Sequence, residues 1–376
     1  MREDIVVIGG YGQVGRAICS LLARRYAGRV YAAGRNFEKA NRFSLETDGE
    51  VQPLQVDIHQ PKKAFEALNQ PKVVIVCIDQ DHTEFARLCA KNGIDYLDIT
   101  ANGKFLKELG GLNRGAVKHT GVISVGLAPG ITNLLVEQAV RMFEQVHQVD
   151  ISILLGLGDE HGEGAMEWTF QQINQSFDVM VQNDWRQVKS FTDRQQVSFG
   201  KAIGNHSVYR FPFSDQQTLA RTLHLPTVST RLCFDSRLVT AVVATMRRLH
   251  ITKLLSLPAV RKVLTTLLNA FPYGSEQYGV RVEVKGVRKD EKEEVYSLFT
   301  GENEALMTAH VASAVAFALY EHPCPKGVFH IEELFELVFI DQHISLTLKG
   351  TEFSYPLPTP KQFVQNETSI CSQNHS

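Results

Sequence analysis

The chain of 376 residues lacks the marks of several protein classes at once. Its six cysteines are scattered, with no C-x-x-C pair and no metal-ligand spacing. Neither a disulfide framework nor a metal site is therefore expected, and reduced thiols suit a cytoplasm. The formal net charge is only −2, too small to suggest a nucleic-acid or membrane-surface partner. The basic residues Arg247, Arg248, Lys253, Arg261 and Lys262 read as a solvated helix face. No apolar run approaches the roughly 20 residues of a membrane helix. The first apolar run begins at Ile5, which leaves no room for a secretion signal. No Ser/His/Asp order and no nucleophile elbow is visible, so hydrolysis has no support. Hydrophobic content is 44 % and charged content 21 %, as in a globular protein, and the length allows two domains.

What is there begins at the N-terminus. Ile5-Val6-Val7-Ile8 is a short run for a buried strand, and Gly10, Gly12 and Gly15 then give the spacing G-x-G-x-x-G before a helical pattern. In a dinucleotide site these glycines allow a tight turn, close approach of backbone to pyrophosphate, and close helix–strand packing. The N–H groups of Gln13 and Val14 would open the helix toward the phosphates, with Tyr11 in the turn. The second strand, 29–33, ends in Ala33-Gly34-Arg35-Asn36, with no acid to hold a ribose 2′-OH. Arg35 can pair a 2′-phosphate instead, assisted by Lys39, which favours NADP(H) over NAD(H). The alternative for Arg35 is a solvated side chain stacked on adenine.

Alternating strands and helices continue to residue 126. A third strand near 51–56 ends in Asp57, which suits either an adenine contact or a helix cap. A fourth, 72–78, is continuously apolar, as a parallel strand buried on both faces would be, and carries Cys77 near the expected nicotinamide. A fifth contains Tyr96-Leu97-Asp98. The expected fold is α/β: a doubly wound parallel Rossmann sheet with an inserted α+β second domain. Val149-Asp150-Ile151-Ser152-Ile153 alternates at period two, as a half-exposed antiparallel strand would. Residues 237–271 read as helical, 308–320 as an Ala-rich helix, and 353–376 as a loose polar tail.

Several segments together resemble the saccharopine dehydrogenase family: the Gly10-x-Gly12-x-x-Gly15 turn, Ala33-Gly34-Arg35, Tyr96-Leu97-Asp98, Gly126-Leu127-Ala128-Pro129-Gly130, Asp159-Glu160-His161-Gly162 with Glu167-Trp168, and Gly301-Glu302-Asn303. The resemblance implies an NAD(P)-binding Rossmann domain over 1–131, a substrate and dimerisation domain over 132–307, and a return segment over 308–352. It also implies an NAD(P)-dependent oxidoreductase acting at a C–N bond of an amino-acid or imine substrate, working as a homodimer. Pro129 is then a candidate cofactor contact.

Such chemistry needs an acid or base near the nicotinamide. Asp98, ending the fifth strand, is one candidate, the alternative being a turn carboxylate. His161 is the other, since histidine titrates near neutrality; the alternative is a histidine that fixes a Gly-rich loop. Glu160 could bind a substrate ammonium and Trp168 could stack on substrate, or the two could be an exposed carboxylate and a core ring. An arginine fork for a substrate carboxylate points to Arg231 or Arg210. Two other readings stay open: an NADP(H)-binding sensor or scaffold without turnover, and a C=C or C=O reductase of a lipid-like substrate.

Overall fold

In the computed structural model, residues 3–113, 118–158, 169, 171–249, 274–340 and 343–368 are described. They form two compact units. The first comprises Met1–Asn133 and Ala305–Pro358, the second Leu134–Glu304 and Thr359–Ser376.

The first unit is built on seven strands: β1 (Ile5–Ile8), β2 (Val30–Gly34), β3 (Val51–Gln55), β4 (Val73–Val76), β5 (Asp95–Asp98), β6 (Thr120–Ile123) and a late arrival, β15 (Gly327–His330). Their order is β15-β6-β5-β4-β1-β2-β3, and every pair is parallel. The runs IVVI and VVIV are buried throughout because β1 and β4 lie in the middle of a sheet whose two faces both carry helices. Chain order reverses direction between β1 and β4, the switch point at which such sheets bind ligands. One face packs Val6, Ile8, Val74, Val76 and Tyr96 against Phe85, Cys89, Phe105 and Leu109. The Ala-rich pattern becomes the helix Glu304–Glu321, whose alanines from Ala309 to Ala318 are buried. The helix Gly103–Gly110 ends where a second glycine, Gly111, follows.

In the second unit the strands are β7 (Gln145–Leu155), β8 (Ser176–Val181), β9 (Asp184–Lys189), β10 (Gln195–Ser198), β11 (Asn205–Arg210), β12 (Val228–Phe234), β13 (Gln277–Arg288), β14 (Glu291–Glu302) and β19 (Gln362–Thr368). The main path is β10-β11-β12-β7-β13-β14-β19, with the β8–β9 hairpin joined to β12. Two expectations need correction. The strand at 149–153 is not half exposed: β7 is central, parallel to β12 and antiparallel to β13, and Asp150 and Ser152 are buried. Its polar alternation marks a buried polar face. Residues 353–376 are also more than a loose tail. Ser354–Pro356 forms β18, which pairs with β17 (His343–Leu348), itself paired with β16 (Phe335–Ile340). β19 closes on β14. Of the helical stretch expected at 237–271, Arg237–Arg248 is a helix and residues from 250 on lie outside the described residues.

Candidate functional site

The glycine turn is shaped as a cradle. After β1 the chain turns at Gly9, with φ +79°, and the Gly12 N–H closes the turn on the Gly9 carbonyl at 2.9 Å. A Cβ on Gly15 would lie 2.2 Å from the Gly9 carbonyl oxygen, and one on Gly10 2.7 Å from Ala32 Cα. No side chain fits at either place, so helix and strand meet at backbone distance. The helix α1 (Gln13–Tyr26) starts at Gly12 with no side-chain cap and no acid in its first turn. Its first N–H groups and positive dipole end are thus left for an anion.

The end of β2 sits beside this cradle. The Tyr11 ring lies across Gly34, where a Cβ would meet it at 2.5 Å, and the Tyr11 hydroxyl accepts the Asn36 N–H at 3.0 Å. Arg35 is exposed, and its guanidinium has no ion-pair partner among the described residues. Lys39 is exposed in the first turn of the next helix, which Asn36 caps through its Lys39 N–H. Asp57 accepts the His59 N–H at 3.1 Å and so holds the turn before the third helix; it caps no helix directly.

At the ends of β4 and β5 the structure reveals a cluster that the sequence reading found only in part. Ile8, Val76 and Asp98 lie side by side in register. Asp98 is 0 % exposed. Its Oδ2 accepts the Tyr96 hydroxyl at 2.5 Å and the Gln80 amide at 2.9 Å, and its Oδ1 accepts the Thr100 N–H at 2.9 Å. Burial pushes the carboxyl up to about 7; the bonds from Tyr96 and Thr100 oppose this, and the charge of Asp79 adds to it. Asp98 therefore ties the loop after β4 to the loop after β5 and presents no open face. That makes it a buried hub that holds the turn after β5. Cys77 follows β4 and packs under the turn, its carbonyl 3.4 Å from where a Gly9 Cβ would be. Burial pushes its thiol well up, so it is not a nucleophile at neutral pH.

Two further residues end neighbouring strands. Ser124, with φ +60°, follows β6, and His330 ends β15; Ser124 Oγ and His330 Nδ1 are 2.8 Å apart. Neither was singled out from sequence, because their partnership spans 206 positions. Pro129 is buried in the loop between Gly126 and Ile131, which is pinned by Leu127 N–H to Thr308 Oγ1 at 3.2 Å and by Gly130 N–H to Asn133 at 3.2 Å.

Arg231 does not match its expected use. It is 2 % exposed on β12, with Nη1 on Asp150 at 2.8 Å and Nη2 on Asp193 at 2.9 Å. Ser229 joins the same pair, and Arg210 meets Asp193 at 2.7 Å. Burial alone would raise the Asp193 carboxyl, yet the Arg231 bond and the charges of Arg210 and Arg231 hold it below its usual range. Two carboxylates already neutralise the Arg231 fork, so it has no second fork for a substrate. Glu160, His161 and Trp168 lie outside the described residues.

Residues 5–120 match the family profile described as the saccharopine dehydrogenase NADP binding domain. Among solved structures, an apo histidine-tagged saccharopine dehydrogenase (L-Glu forming) from Saccharomyces cerevisiae is similar, with TM-score 0.61 at 12 % identity over 87 % of this chain and 94 % of that one. An engineered D-amino acid dehydrogenase bound to NADP+ reaches TM-score 0.43 at 11 % identity over 89 % of this chain and 94 % of that one. A C. glutamicum DAP dehydrogenase in complex with DAP reaches 0.42 at 11 % over 89 % and 94 %. Scores that low carry no argument. No curated protein sequence matches the chain. The yeast likeness is one of fold; the profile match covers the glycine cradle, the Arg35 turn and the Asp98 hub. Residues 5–120 thus form an NADP-binding domain of the saccharopine dehydrogenase type, and the chain as a whole shares the fold of the yeast structure.

Proposed function

We propose that this chain is an NADP(H)-dependent oxidoreductase that moves hydride at a C–N bond of an amino-acid or imine substrate. One observation carries the cofactor half of this reading: an uncapped helix N-terminus beside two sterically required glycines, Gly10 and Gly15, with the unpaired Arg35 one strand away. Gly10, Tyr11, Gly12 and Gly15, with the N–H groups of Gln13 and Val14, hold the pyrophosphate. Arg35, with Lys39 behind it, meets the 2′-phosphate. Bound NADP(H) supplies or accepts the hydride. Cys77 and Pro129 lie beside the nicotinamide, and Asp98 acts through Gln80 and Thr100 as a positioning residue. His161 moves the proton, while Glu160 and Trp168 contact substrate. The Rossmann unit and the α+β unit serve as cofactor and substrate domains of a cytoplasmic homodimer. The amino-acid half of the reading is supported by the resemblance of the first domain to saccharopine dehydrogenase.

Binding of NADPH and NADH to the purified chain, repeated with lysine and saccharopine present, tests this. Tight NADPH binding altered by one of these amino acids, with a matching change in nicotinamide absorbance, supports it. The sealed Asp98 favours a second reading, an NADP(H)-binding sensor. Tight NADPH binding with no response to any amino acid and no turnover would select that one. Binding of neither cofactor would overturn both.

A further inference from the structure

One helix of the second unit is turned the wrong way round. A helix on a protein surface ordinarily packs its apolar stripe inward and shows polar side chains to water. The helix Arg237–Arg248 rests on β11 and β12 and buries Thr240. It also lays Arg247 against the protein, where Nε donates to the Ser190 carbonyl at 3.2 Å. Its outward side carries Leu238, 74 % exposed, and Val242, 48 % exposed, and Leu249, which ends it, is 62 % exposed. With Thr245, also exposed, these residues are spaced four, three and four apart, so they form one continuous stripe. Arg237, Ala241 and Arg248 are exposed in the adjoining row. Of the nine large hydrophobic side chains exposed among the described residues, three lie on this stripe, so it is a patch and not scattered exposure. The solvated basic face expected from the sequence is thus an apolar stripe with guanidinium groups along one flank.

Charge decides what the stripe faces. Between Asp235 and Glu276 the sequence has no aspartate or glutamate, yet it has six cations: Arg237, Arg247, Arg248, Lys253, Arg261 and Lys262. Acids number 41 in the 376 residues, and the net charge of −2 conceals this local excess. Asp235, just before the helix, does not neutralise it, since its oxygens accept the N–H groups of Leu157, Ser236 and Ser275. A second copy of the chain packed symmetrically on the stripe would set Arg237 and Arg248 beside their own duplicates, with no carboxylate on the helix to answer them. An apolar stripe flanked by cations alone matches a surface that is apolar beneath and anionic on top.

We infer that the helix Arg237–Arg248 docks this face on an anionic lipid bilayer, lying in the plane of the interface. Its 12 residues are too few to cross, which takes about 20. Leu238, Val242 and Leu249 enter the boundary between headgroups and acyl chains. Arg237 and Arg248 reach the headgroup phosphates, their stems running along the apolar layer.

The test is cosedimentation of the full chain with lipid vesicles. Binding is expected to vesicles of phosphatidylcholine mixed with phosphatidylglycerol, and to be about tenfold or more weaker to phosphatidylcholine alone. Leu238→Gln, Val242→Gln and Leu249→Gln combined should weaken binding to the mixed vesicles by about tenfold or more. Arg237→Gln and Arg248→Gln combined should also weaken it. Both variants should keep the thermal midpoint and NADPH affinity of the parent chain, because the side chains are exposed. Leu238→Trp should report the contact directly, its emission shifting to the blue when mixed vesicles are added, against the baseline set by Trp168 and Trp185 in the parent chain. No binding to the mixed vesicles, binding indifferent to the triple apolar substitution, or no blue shift would each overturn the inference. So would a dimer in sedimentation equilibrium that the triple substitution dissociates, which would assign the stripe to a second copy. No turnover is measured, so the outcome is independent of the catalytic reading.

Discussion

Two arginines, one in each unit, show opposite uses of the same side chain. Arg35 follows β2 in the open, with no ion-pair partner among the described residues. Arg231 lies inside β12 and is held by Asp150 and Asp193. Both were candidates for binding an anionic ligand on sequence grounds. The difference is the company each keeps: a guanidinium left unpaired beside the glycine turn stays open to solvent, whereas one already paired twice is part of the scaffold. Taking charges out of water is expensive, so the buried pair gives little net stability. Breaking it, however, leaves lone charges behind.

That comparison can be broken most forcefully at Arg231. Arg231→Leu leaves the buried Asp150 without its cation, while Asp193 keeps Arg210, and should lower stability by about 3 kcal/mol in urea unfolding. A stable variant with weakened substrate affinity would instead restore Arg231 to the site. Next in size is Gly15→Ala, which places a methyl 2.2 Å from the Gly9 oxygen. NADPH and NADH affinity should both fall at least tenfold in fluorescence titration, and unchanged binding would mean the cradle is misassigned. Arg35→Asp sharpens the other side. Charge-assisted bonds of about 1.5–3 kcal/mol imply roughly 10- to 100-fold weaker NADPH binding, with NADH binding equal or better. Equal loss for both cofactors would remove the 2′-phosphate assignment.

The last test is a pH dependence. The Asp98 carboxyl titrates near 7 when folded, against an ordinary value of 3.8. Between these values the folded state holds a proton that the unfolded chain has released. Its contribution to stability therefore falls as pH rises from about 4 to 7, and is level above. Asp98→Asn should remove that slope from the thermal midpoint measured across this range. A slope that survives the substitution would show that other groups cause it.

Much of the first unit was legible in sequence, since a strand, a glycine turn and a helix are local patterns. The runs 5–8 and 73–76 could be read as central strands because burial on both faces leaves no polar positions. The second unit was harder. Asp150 and Ser152 alternate with Val149, Ile151 and Ile153, and alternation ordinarily means that one face is wet. Here the polar face is covered, and its partner Arg231 is 81 residues away. Nothing local announces such a pairing. The Asp98 hub was half visible, its position at a strand end being local and its seal by Gln80 and Tyr96 not. Nor could composition reveal that the polar stretch 362–368 completes a sheet, because an edge strand tolerates polar residues.

Both units are discontinuous in sequence, and this sets the order in which they can be finished during synthesis. The first six strands of the Rossmann sheet are translated by residue 123, yet the edge at β6 waits some two hundred residues for β15. The second sheet begins at residue 145 and waits for β19 at 362–368 before β14 is covered. Open strand edges are where nascent chains mispair. Each unit therefore spends most of its translation with an edge exposed, and the two are closed only in the final stretch, within about forty residues of each other.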